Sequence, residues 1–259
     1  MATIALLSAL AEEQQGLRAL LADPRQVTRA GREFWLGTLH GVPVVLALSR
    51  IGKVAAATTA TALIEAFAAD AIVFTGVAGA LGQNVHVGDV VVATQFVQHD
   101  MDASPLFPRF ELPLYGQSLF DCDPHLTALL LEASRQTLAA ITSGLVPGQS
   151  PCVARVHQGL IASGDSFVST VAASAFLKSA LGAAGMDALA VEMEGAAVAQ
   201  VCQDYGIPFA AVRTVSDRAD ESAAMDFQHF VTHVASRYAL GIMNHFLRAS
   251  AGVQPGPIT

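Results

Sequence analysis

The sequence predicts an α/β fold in which helices pack on a mostly parallel but mixed sheet. Short apolar runs alternate with helical patterns along almost the whole chain, which is typical of parallel strands joined by helices. A hairpin around Gly41 and a long strand over Val87–Val97 make the sheet mixed. No linker or internal repeat divides the 259 residues, so we expect one domain over residues 1–250 and a disordered tail over 251–259.

The first half of the chain contributes most of the predicted strands. Strands are predicted where apolar residues run together between polar or Gly positions, and helices where apolar residues recur with a helical period. Acids in the first turn, Glu12 and Glu13, support the first helix because the helix dipole stabilises anions there. In order, the predicted elements are strand Thr3–Ser8, helix Ala9–Leu21, strands Phe34–His40 and Val42–Ser49, helix Lys53–Phe67, and strands Ala71–Thr75 and Val87–Val97.

The second half follows a more regular alternation. Its predicted elements are helix Pro124–Leu138, strand Arg155–Ala162, helix Thr170–Leu181, strand Ala188–Val191, helix Gly195–Asp204, strand Phe209–Val215 and a long amphipathic helix, Met225–Leu247. One stretch, His99–Asp121, is irregular and rich in Pro and aromatic residues. A loop of this length inside a compact domain is usually functional or part of an interface.

Composition excludes several classes of partner. The net charge is -8 and the 14 Lys and Arg residues are scattered, which argues against binding to a nucleic-acid backbone. Charged residues make up only 14% of the chain, so we expect another subunit to cover part of the surface. No membrane span is predicted, because Glu65 and Asp70 interrupt the apolar stretch Val54–Ala80.

The N-terminus and the cysteines indicate a cytoplasmic protein. The apolar run Ile4–Leu7 is too short for a signal peptide and no basic segment precedes it. Cys122, Cys152 and Cys202 are odd in number and far apart, which favours a reducing compartment and no zinc site. The eight His residues have no metal-ligand spacing, and neither a GxSxG elbow nor a P-loop Lys is present, so no metal or cofactor is expected.

Two carboxylates two residues apart are the most informative feature of the chain. Glu192 and Glu194 follow a predicted strand and precede a predicted helix. In an extended segment, residues two apart point to the same side, so both acids would face one pocket while Met193 faces the other way. The alternative is an acidic loop at the surface.

Four other segments could carry chemistry, and each also has a plainer interpretation. Glu13 could serve as a general base, or it could simply be an anion that the helix dipole stabilises. The stretch Thr75–Gly82 is predicted to be a Gly-rich turn that lets a ligand approach the backbone. Phe167, after the polar turn Ser163–Ser166, could stack on a planar ligand or belong to the core. Asp217 could be a proton donor with a raised pKa or a turn residue.

Taken together and in order, these segments closely resemble the 5'-methylthioadenosine/S-adenosylhomocysteine nucleosidases of the nucleoside phosphorylase superfamily. The resemblance covers about Ile4 to Asp220 and also includes Ser49–Ala57 and Val87–Val92. It implies a three-layer α/β/α fold around a twisted mixed sheet. It also implies hydrolysis of the N9–C1' bond to adenine and a 5-thio-substituted ribose, a role in methionine salvage, and a homodimer in which residues 102–115 complete the neighbouring site.

The resemblance also implies residue roles. Glu13 matches the base that activates water, and Asp217 matches the acid that protonates N7 of adenine. The substrate-binding positions follow the same match: Glu194 at the ribose hydroxyls, Met193 beside the sugar, Phe167 stacked on adenine, Val168 at the base edge through its backbone, Ser216 positioning Asp217, Ile51 in the 5'-thio pocket, and Glu192 and Arg213 in support.

The chain departs from the family pattern at two places in the predicted site. Val77 stands where many relatives carry a hydroxyl residue, so one hydrogen bond near the ribose or the water is missing. Arg50 replaces a small residue beside Ile51 and would either face solvent or reach toward an anionic substrate group. The segment Asp100–Phe107 is also less standard, which bears on the preference for the 5' substituent.

Other functions are weighed against this one. A purine nucleoside phosphorylase would need Arg and hydroxyl side chains to hold phosphate, which Val77 and Ala78 do not supply and the anionic Glu13 would oppose. A futalosine-type hydrolase would use the same machinery. A non-catalytic nucleoside-binding protein could keep Phe167 while losing the acid or the base. The substrates implied are methylthioadenosine, S-adenosylhomocysteine and 5'-deoxyadenosine, without an order among them.

Overall fold

A ten-stranded mixed sheet forms the centre of the protein, as the computed structural model describes it for residues 2–143 and 154–251. The strands run β10-β6-β8-β9-β5-β1-β4-β3-β2 across the sheet, and β7 pairs with β6. The strand bounds are β1 Ile4–Ser8, β2 Ala22–Arg29, β3 Arg32–Leu39, β4 Val42–Leu48, β5 Ala71–Ala80, β6 Val90–Gln98, β7 Leu119–Asp121, β8 Val156–Ser163, β9 Ala188–Glu192 and β10 Phe209–Asp217.

Helices cover both faces of this sheet. Their bounds are α1 Ala11–Ala19, α2 Lys53–Phe67, α3 Pro124–Ser143, α4 Val171–Ala183, α5 Gly195–Tyr205, α6 Ala223–Phe230 and α7 Ser236–Ala251, with a π-helical segment at Val231–Ala235. The apolar residues of α2 and α5 pack with one face of the strands, and those of α1, α3 and α7 pack with the other. Alternate residues of β1 enter the two cores, as the two-residue period of a strand requires. The predicted mixed sheet with flanking helices is therefore confirmed.

Part of the sheet closes on itself. Strand β10 is parallel to β5 and antiparallel to β6, and β6 connects back to β5 through β8 and β9. Ser163, Glu192 and Asp217 are the last residues of β8, β9 and β10. Where strands β9 and β5 cross, Val191 pairs with Gly79. The closed arrangement therefore brings these polar residues to one side of the sheet.

The prediction of a Gly-rich turn at Thr75–Gly82 is wrong. Strand β5 continues through this segment to Ala80, because Thr75–Gly79 pair with β10 and Gly79–Ala80 pair with β9. Glycine lacks a side chain to pack and weakens an isolated strand. Here, pairing with two neighbouring strands overrides that weakness.

The sequence did not reveal the short strand β7, which lies in the stretch predicted to be irregular, nor strand β2. Its side chains are almost all exposed and its sequence, Ala22–Arg29, lacks an apolar alternation. The strand forms because its backbone pairs with β3 at the edge of the sheet. Helix α1 is correspondingly shorter than predicted and ends at Ala19 instead of Leu21.

Other boundaries also differ from the prediction, and helix α3 extends to Ser143 instead of Leu138. Strand β6 begins at Val90 and not at Val87, because Gly88 adopts a positive φ of 93° and the Asp89 carboxylate accepts the His86 N–H in a turn. The predicted helix Met225–Leu247 is α6 and α7 joined by the π-helical segment. Cys152 and the predicted tail from residue 252 lie outside the described residues. No helix in the described part of the chain has the length and apolar character needed to cross a membrane.

Candidate active site

A cavity of about 390 Å³ opens where β5, β8, β9 and β10 end. All eleven candidate site residues from the sequence line it. They are Glu13, Ile51, Val77, Phe167, Val168, Glu192, Met193, Glu194, Arg213, Ser216 and Asp217. The cavity therefore brings together residues from distant parts of the chain.

Glu13 is a buried carboxyl group at the start of α1. Its Oε2 accepts hydrogen bonds from the N–H groups of Ala9 at 2.9 Å and Leu10 at 3.0 Å. Its Oε1 is buried without a hydrogen-bond partner in the structure. Burial raises the pKa of Glu13 to about 7, although the backbone donors and Arg213 lower it. The group can therefore exchange a proton near neutral pH.

Glu192 and Arg213 form a buried ion pair beneath the cavity. Arg213 donates from Nη2 to Glu192 Oε2 at 2.8 Å, and its Nη1 donates to the carbonyls of Phe74 and Val212. Glu192 also accepts from the Ser163 hydroxyl and from the Gly195 N–H at 2.9 Å. The two side chains are bonded to each other and to neighbouring groups of the protein. The pair therefore supports the cavity floor.

Glu194 is the second acid of the pair and has a different environment. It precedes α5, and its Oε1 accepts the N–H of Gly52 at 2.8 Å. Burial and, secondly, the negative charge of Glu192 together raise the pKa of Glu194 to about 8. An empty cavity therefore favours the neutral form of Glu194 at pH 7.

Asp217 ends β10, and only 2% of its surface is exposed. Its Oδ2 accepts from the Ser216 hydroxyl at 2.8 Å, and its Oδ1 accepts from the Ala219 N–H at 2.9 Å. Burial raises the pKa of Asp217, while these two hydrogen bonds lower it. The balance leaves a carboxyl group that holds a proton more strongly than an exposed Asp.

Glycines on β5 make room for the acid and the base. A Cβ atom on Gly79 would lie 2.8 Å from Asp217 Oδ1, and one on Gly76 would lie 3.4 Å from Glu13 Oε1. The two glycines are three residues apart on one strand, which separates them by about 10 Å. The two carboxyl groups thus lie near different points along the same strand.

The rest of the wall is apolar. Phe167 is 44% exposed and meets Phe227 of α6 edge to face, with ring centroids 5.9 Å apart. Val168 is buried, whereas Ile51 is 59% exposed at the cavity mouth. A flat ligand could stack on the free face of Phe167 while its polar groups reach the carboxyls.

The predicted orientation of Met193 is wrong. Met193 lines the same cavity as Glu192 and Glu194 instead of facing away from both. Strand β9 ends at Glu192, and Glu194 adopts φ -137° and ψ -40°, so strict alternation stops there. The two acids are buried and not part of a surface loop.

Arg50 does not line this cavity. Its Nη2 donates to the Gly31 carbonyl at 2.6 Å, and the side chain lies in a separate groove. The segment around Asp100 contacts the mouth of the cavity indirectly, because Asp100 forms an ion pair with Lys53 at 2.6 Å. Lys53 directly follows Ile51–Gly52, which contribute to the cavity and to the Glu194 hydrogen bond.

Ten further residues line the cavity without having been named individually as site residues, although its glycines and Ser166 lie in segments that the sequence singled out, Thr75–Gly82 and Ser163–Ser166. They are Ala9, Leu10, Phe74, Gly76, Ala78, Gly79, Ser166, Val191, Ala224 and Phe227. Most are apolar or act through the backbone, and these residue types carry no chemical signal by themselves. Ser166 was adjacent to a predicted residue, and Phe227 lies in a helix whose packing only the fold reveals. Within residues 2–143 and 154–251, no group of three His, Cys, Asp or Glu side chains is arranged to hold a metal ion.

The arrangement is suited to acid–base cleavage of a bond that joins a flat ring system to a group carrying hydroxyls. One carboxyl group, Asp217, can give a proton to a leaving group, and another, Glu13, can take one from water. The apolar wall would hold the flat part of the ligand, and Glu194 could bond hydroxyl groups.

Comparison with known proteins gives matches over nearly the whole chain. The family model described as the phosphorylase superfamily matches residues 3–248. A 5'-methylthioadenosine/S-adenosylhomocysteine nucleosidase of Anoxybacillus flavithermus is 37% identical over 232 residues, 90% of this chain and 92% of the relative. The aminodeoxyfutalosine nucleosidase of Helicobacter pylori is 36% identical over 242 residues, 92% of this chain and 96% of the relative.

A solved structure agrees with these sequence matches. The 5'-methylthioadenosine/S-adenosylhomocysteine nucleosidase from Neisseria meningitidis, in complex with methylthio-immucillin-A, has a TM-score of 0.83 and 34% sequence identity to this chain. The match covers 96% of this chain and 100% of the other. Sequence and fold are thus shared over almost the entire length.

Proposed function

The chain belongs to the phosphorylase superfamily and, as its motifs predicted, to the 5'-methylthioadenosine/S-adenosylhomocysteine nucleosidases, and from this premise we propose that it hydrolyses the N-glycosidic bond of these two nucleosides. The products are adenine and the 5-thio-substituted ribose. One observation carries the proposal: two buried carboxyl groups with raised pKa values, Glu13 and Asp217, line one cavity together with a stacking aromatic ring.

Asp217 is proposed as the acid. Adenine leaves as an electron-rich base, so protonation at N7 lowers the energy of the transition state. The Ser216 hydroxyl donates to Asp217 Oδ2 at 2.8 Å and fixes the carboxyl group. The Ala219 N–H holds Oδ1, so the side chain has a single well-defined position.

Glu13 is proposed as the base. A water molecule bound to Oε1, the oxygen without a protein partner, would lose its proton to Glu13 as it attacks C1'. The Ala9 and Leu10 N–H groups hold Oε2 and aim Oε1 away from the backbone. A pKa of about 7 suits this task because the group is partly ionised at neutral pH and still accepts a proton well.

Glu194 is proposed to bond the ribose hydroxyls, with Met193 packed beside the sugar. The sugar gains positive charge as the bond to adenine breaks. That charge favours the ionised form of Glu194, whose pKa is raised to about 8 before substrate binds. Glu194 would therefore stabilise the transition state more than the bound substrate, which is how binding accelerates a reaction.

Phe167, Val168 and Ile51 are proposed to recognise the two ends of the substrate. Phe167 would stack on adenine, supported from the side by Phe227. The backbone of Val168 would read the base edge, and Ile51 at the cavity mouth would contact the 5' substituent. Val77 lines the cavity without a hydroxyl group, so the water and ribose depend on the carboxyl groups for polar contacts.

The hydrogen bonds that Arg213 already makes within the protein favour hydrolysis over phosphorolysis. Its guanidinium group is bonded to Glu192 and to two backbone carbonyls, and only 1% of the residue is exposed. Four of its five N–H donors are therefore engaged within the protein, which leaves little capacity to bind a phosphate ion. A neighbouring Glu13 carboxylate would also repel phosphate from the attacking position.

A product analysis with and without phosphate tests this proposal. Methylthioadenosine is incubated with the protein in phosphate-free buffer and in buffer that contains inorganic phosphate, and the sugar product is examined by mass spectrometry. We expect adenine and free methylthioribose, with no sugar phosphate, in both cases. A sugar 1-phosphate, or turnover only when phosphate is added, would instead identify a phosphorylase.

Aminodeoxyfutalosine is a second candidate substrate. The observation that favours it is the 36% identity to the Helicobacter pylori nucleosidase, nearly equal to that of the first relative. The acid–base chemistry would be the same, and only the 5' substituent near Ile51 differs. Comparison of kcat/KM for methylthioadenosine, S-adenosylhomocysteine, 5'-deoxyadenosine and aminodeoxyfutalosine would establish the preference.

We also propose a homodimer in which residues 102–115 of one subunit complete the site of the other. Leu106 and Leu114 in this segment are 84% and 93% exposed, and Val54 at the start of α2 is 79% exposed. The Lys53–Asp100 ion pair ties the start of this segment to α2 beside the cavity mouth. Burial of these apolar side chains against a second copy would remove them from water.

The proposed cellular setting is the cytoplasm, with a role in methionine salvage. Cys122 and Cys202 are buried and free, in agreement with a reducing compartment. Thiol titration of the protein purified without reductant would test this: oxidised cysteines would contradict it.

A further inference from the structure

A second concave region lies on the other side of the Ala9 backbone from the catalytic cavity. It is a groove of about 850 Å³ between α1, the β2–β3 hairpin and the end of β4, and Ala9 is the one residue that lines both spaces. Its charged side chains are Arg18, Arg32, Arg50, Glu12 and Glu33. We call it the arginine groove.

Two of these arginines surround the tip of the hairpin. Arg50 Nη2 donates to the Gly31 carbonyl at 2.6 Å, and Arg32 Nη1 donates to the Ala30 carbonyl at 3.2 Å. Because the two carbonyls are neighbours in the chain, the two guanidinium groups lie close together. Their mutual repulsion and burial lower the pKa of Arg32.

Neither arginine has a negative partner. In the described part of the chain, no carboxylate oxygen lies within 4.0 Å of the side-chain nitrogens of Arg18, Arg32 or Arg50. Arg32 Nη2 donates to the Ala55 carbonyl at 3.4 Å, whereas Arg32 Nε is buried without a hydrogen-bond partner. An unsatisfied buried donor on a charged group is costly, so the groove has unused capacity to bind an anion.

The groove concentrates positive charge in a protein that is acidic as a whole. The chain carries a net charge of -8, yet three of its 14 Lys and Arg residues face this one groove, against two Glu residues.

We propose that the arginine groove binds one phosphate group, either inorganic phosphate or the phosphate of a small phosphorylated metabolite, between Arg32 and Arg50. Guanidinium groups match the oxygens of phosphate through paired N–H donors. The N–H groups of Arg32 and Arg50 that no backbone carbonyl accepts would bond the anion, and Arg18 would supply further positive charge. This site is separate from the catalytic cavity and takes no part in the cleavage.

The single tryptophan of the chain provides a direct probe. Trp35 lines the groove, and the Arg18 guanidinium lies 3.7 Å from the centre of its ring. Tryptophan fluorescence therefore reports on this groove alone. Sodium phosphate is titrated into the protein at constant ionic strength, with sodium chloride as the reference, and calorimetry gives the stoichiometry.

We expect a saturable fluorescence change with phosphate, one site per chain, and none with chloride. Arg50→Gln and Arg32→Gln should each weaken binding by about tenfold or more, because each removes a charged donor. Arg25→Gln is the matched control: this exposed arginine of the same hairpin lies outside the groove, and its loss should leave binding unchanged. The Arg50 variant should hydrolyse nucleosides at the wild-type rate in the absence of phosphate.

A parallel titration with ribose 5-phosphate separates the two sources of the phosphate group. Tighter binding of the sugar phosphate would identify a phosphorylated metabolite, and equal or weaker binding would identify inorganic phosphate. The proposal is overturned if phosphate gives no saturable change. It is also overturned if the Arg50 and Arg32 variants, once shown to be folded by circular dichroism, bind phosphate as the wild type does, since the anion would then lie elsewhere.

Discussion

At the scale of single residues, the surroundings of each carboxyl group decide its protonation and hence its role. Glu13 and Glu194 are buried with backbone N–H donors and no adjacent cation in hydrogen-bond contact, and the pKa of each is raised to about 7 and about 8. Glu192 is equally buried but is bonded to Arg213. The first two have raised pKa values at the cavity, whereas the third is tied to Arg213 and has a supporting role.

The raised pKa of Glu13 predicts that the folded protein becomes more stable at high pH when a neutral side chain replaces this carboxylate. Because the folded state holds the Glu13 proton more tightly than the unfolded state, the free energy of unfolding falls as pH rises from 4.5 to about 7. Glu13→Gln removes this loss and should stabilise the protein at pH 8 by up to about 3 kcal/mol. Urea denaturation at pH 5 and pH 8 measures the difference.

The matched control is Glu192→Gln. It should destabilise the protein by about 3–5 kcal/mol because it leaves the buried Arg213 guanidinium without its counter-charge. If Glu13→Gln were as destabilising as Glu192→Gln at pH 8, burial would not be the cause of the raised Glu13 pKa.

The same residue predicts the pH dependence of activity. The base must be ionised and the acid protonated in the free enzyme, so kcat/KM for methylthioadenosine should rise with pH up to about 7, the pKa of Glu13, and fall at higher pH where Asp217 loses its proton. Initial rates of adenine release between pH 5 and pH 9 measure it. A flat profile through this range would assign the base to a different group.

At the scale of elements, strand β5 makes space in the active site because two of its residues are glycines. The absence of side chains at Gly76 and Gly79 leaves space for Glu13 and Asp217. Gly79→Ala should lower kcat by about 10- to 100-fold, because its Cβ atom would lie 2.8 Å from Asp217 Oδ1 and displace the acid. Steady-state kinetics with methylthioadenosine measure the effect.

Two further substitutions calibrate that prediction. Gly76→Ala places a Cβ atom 3.4 Å from Glu13 Oε1 and should have a smaller effect. Gly182→Ala, in α4, meets nothing within 4 Å and should leave kcat unchanged. Equal activity in the Gly79 and Gly182 variants would show that the acid tolerates displacement.

Elements with strong apolar patterns could be predicted from the sequence, and those held by pairing could not. Helix α2, Lys53–Phe67, has the predicted bounds because its small apolar residues recur regularly and pack on the sheet. Strand β2 has no such pattern and exists only through its backbone bonds to β3. The polar candidates of the site were found because acids at strand ends are chemically distinctive, whereas Phe227 depends on the three-dimensional fold. The Gly-rich segment of β5 was also expected near a ligand, but as a turn and not as a strand.

At the scale of the whole molecule, closure of the sheet through β10 assembles residues from positions 9 to 227 around one cavity. The proposed dimer adds a second level of assembly. Leu114→Asp, at a side chain that is 93% exposed in the single chain, should produce a monomer with reduced activity because it places a charge in the apolar contact. Light scattering measures the mass.

Leu20→Asp is the control for the dimer. Leu20 is 50% exposed at the end of α1, which belongs to the helical layer opposite α2. Its substitution should leave the mass unchanged. A wild-type protein with the mass of one chain at micromolar concentration would contradict the dimer itself.

The most direct test of the acid–base assignment is phosphate-free adenine release from methylthioadenosine by the wild type, Glu13→Gln and Asp217→Asn. The assignment predicts rapid release by the wild type and a loss of about a hundredfold or more in each variant, with both variants folded. Wild-type rates in either variant would contradict the role given to that residue, and no release by the folded wild type would contradict the proposed reaction.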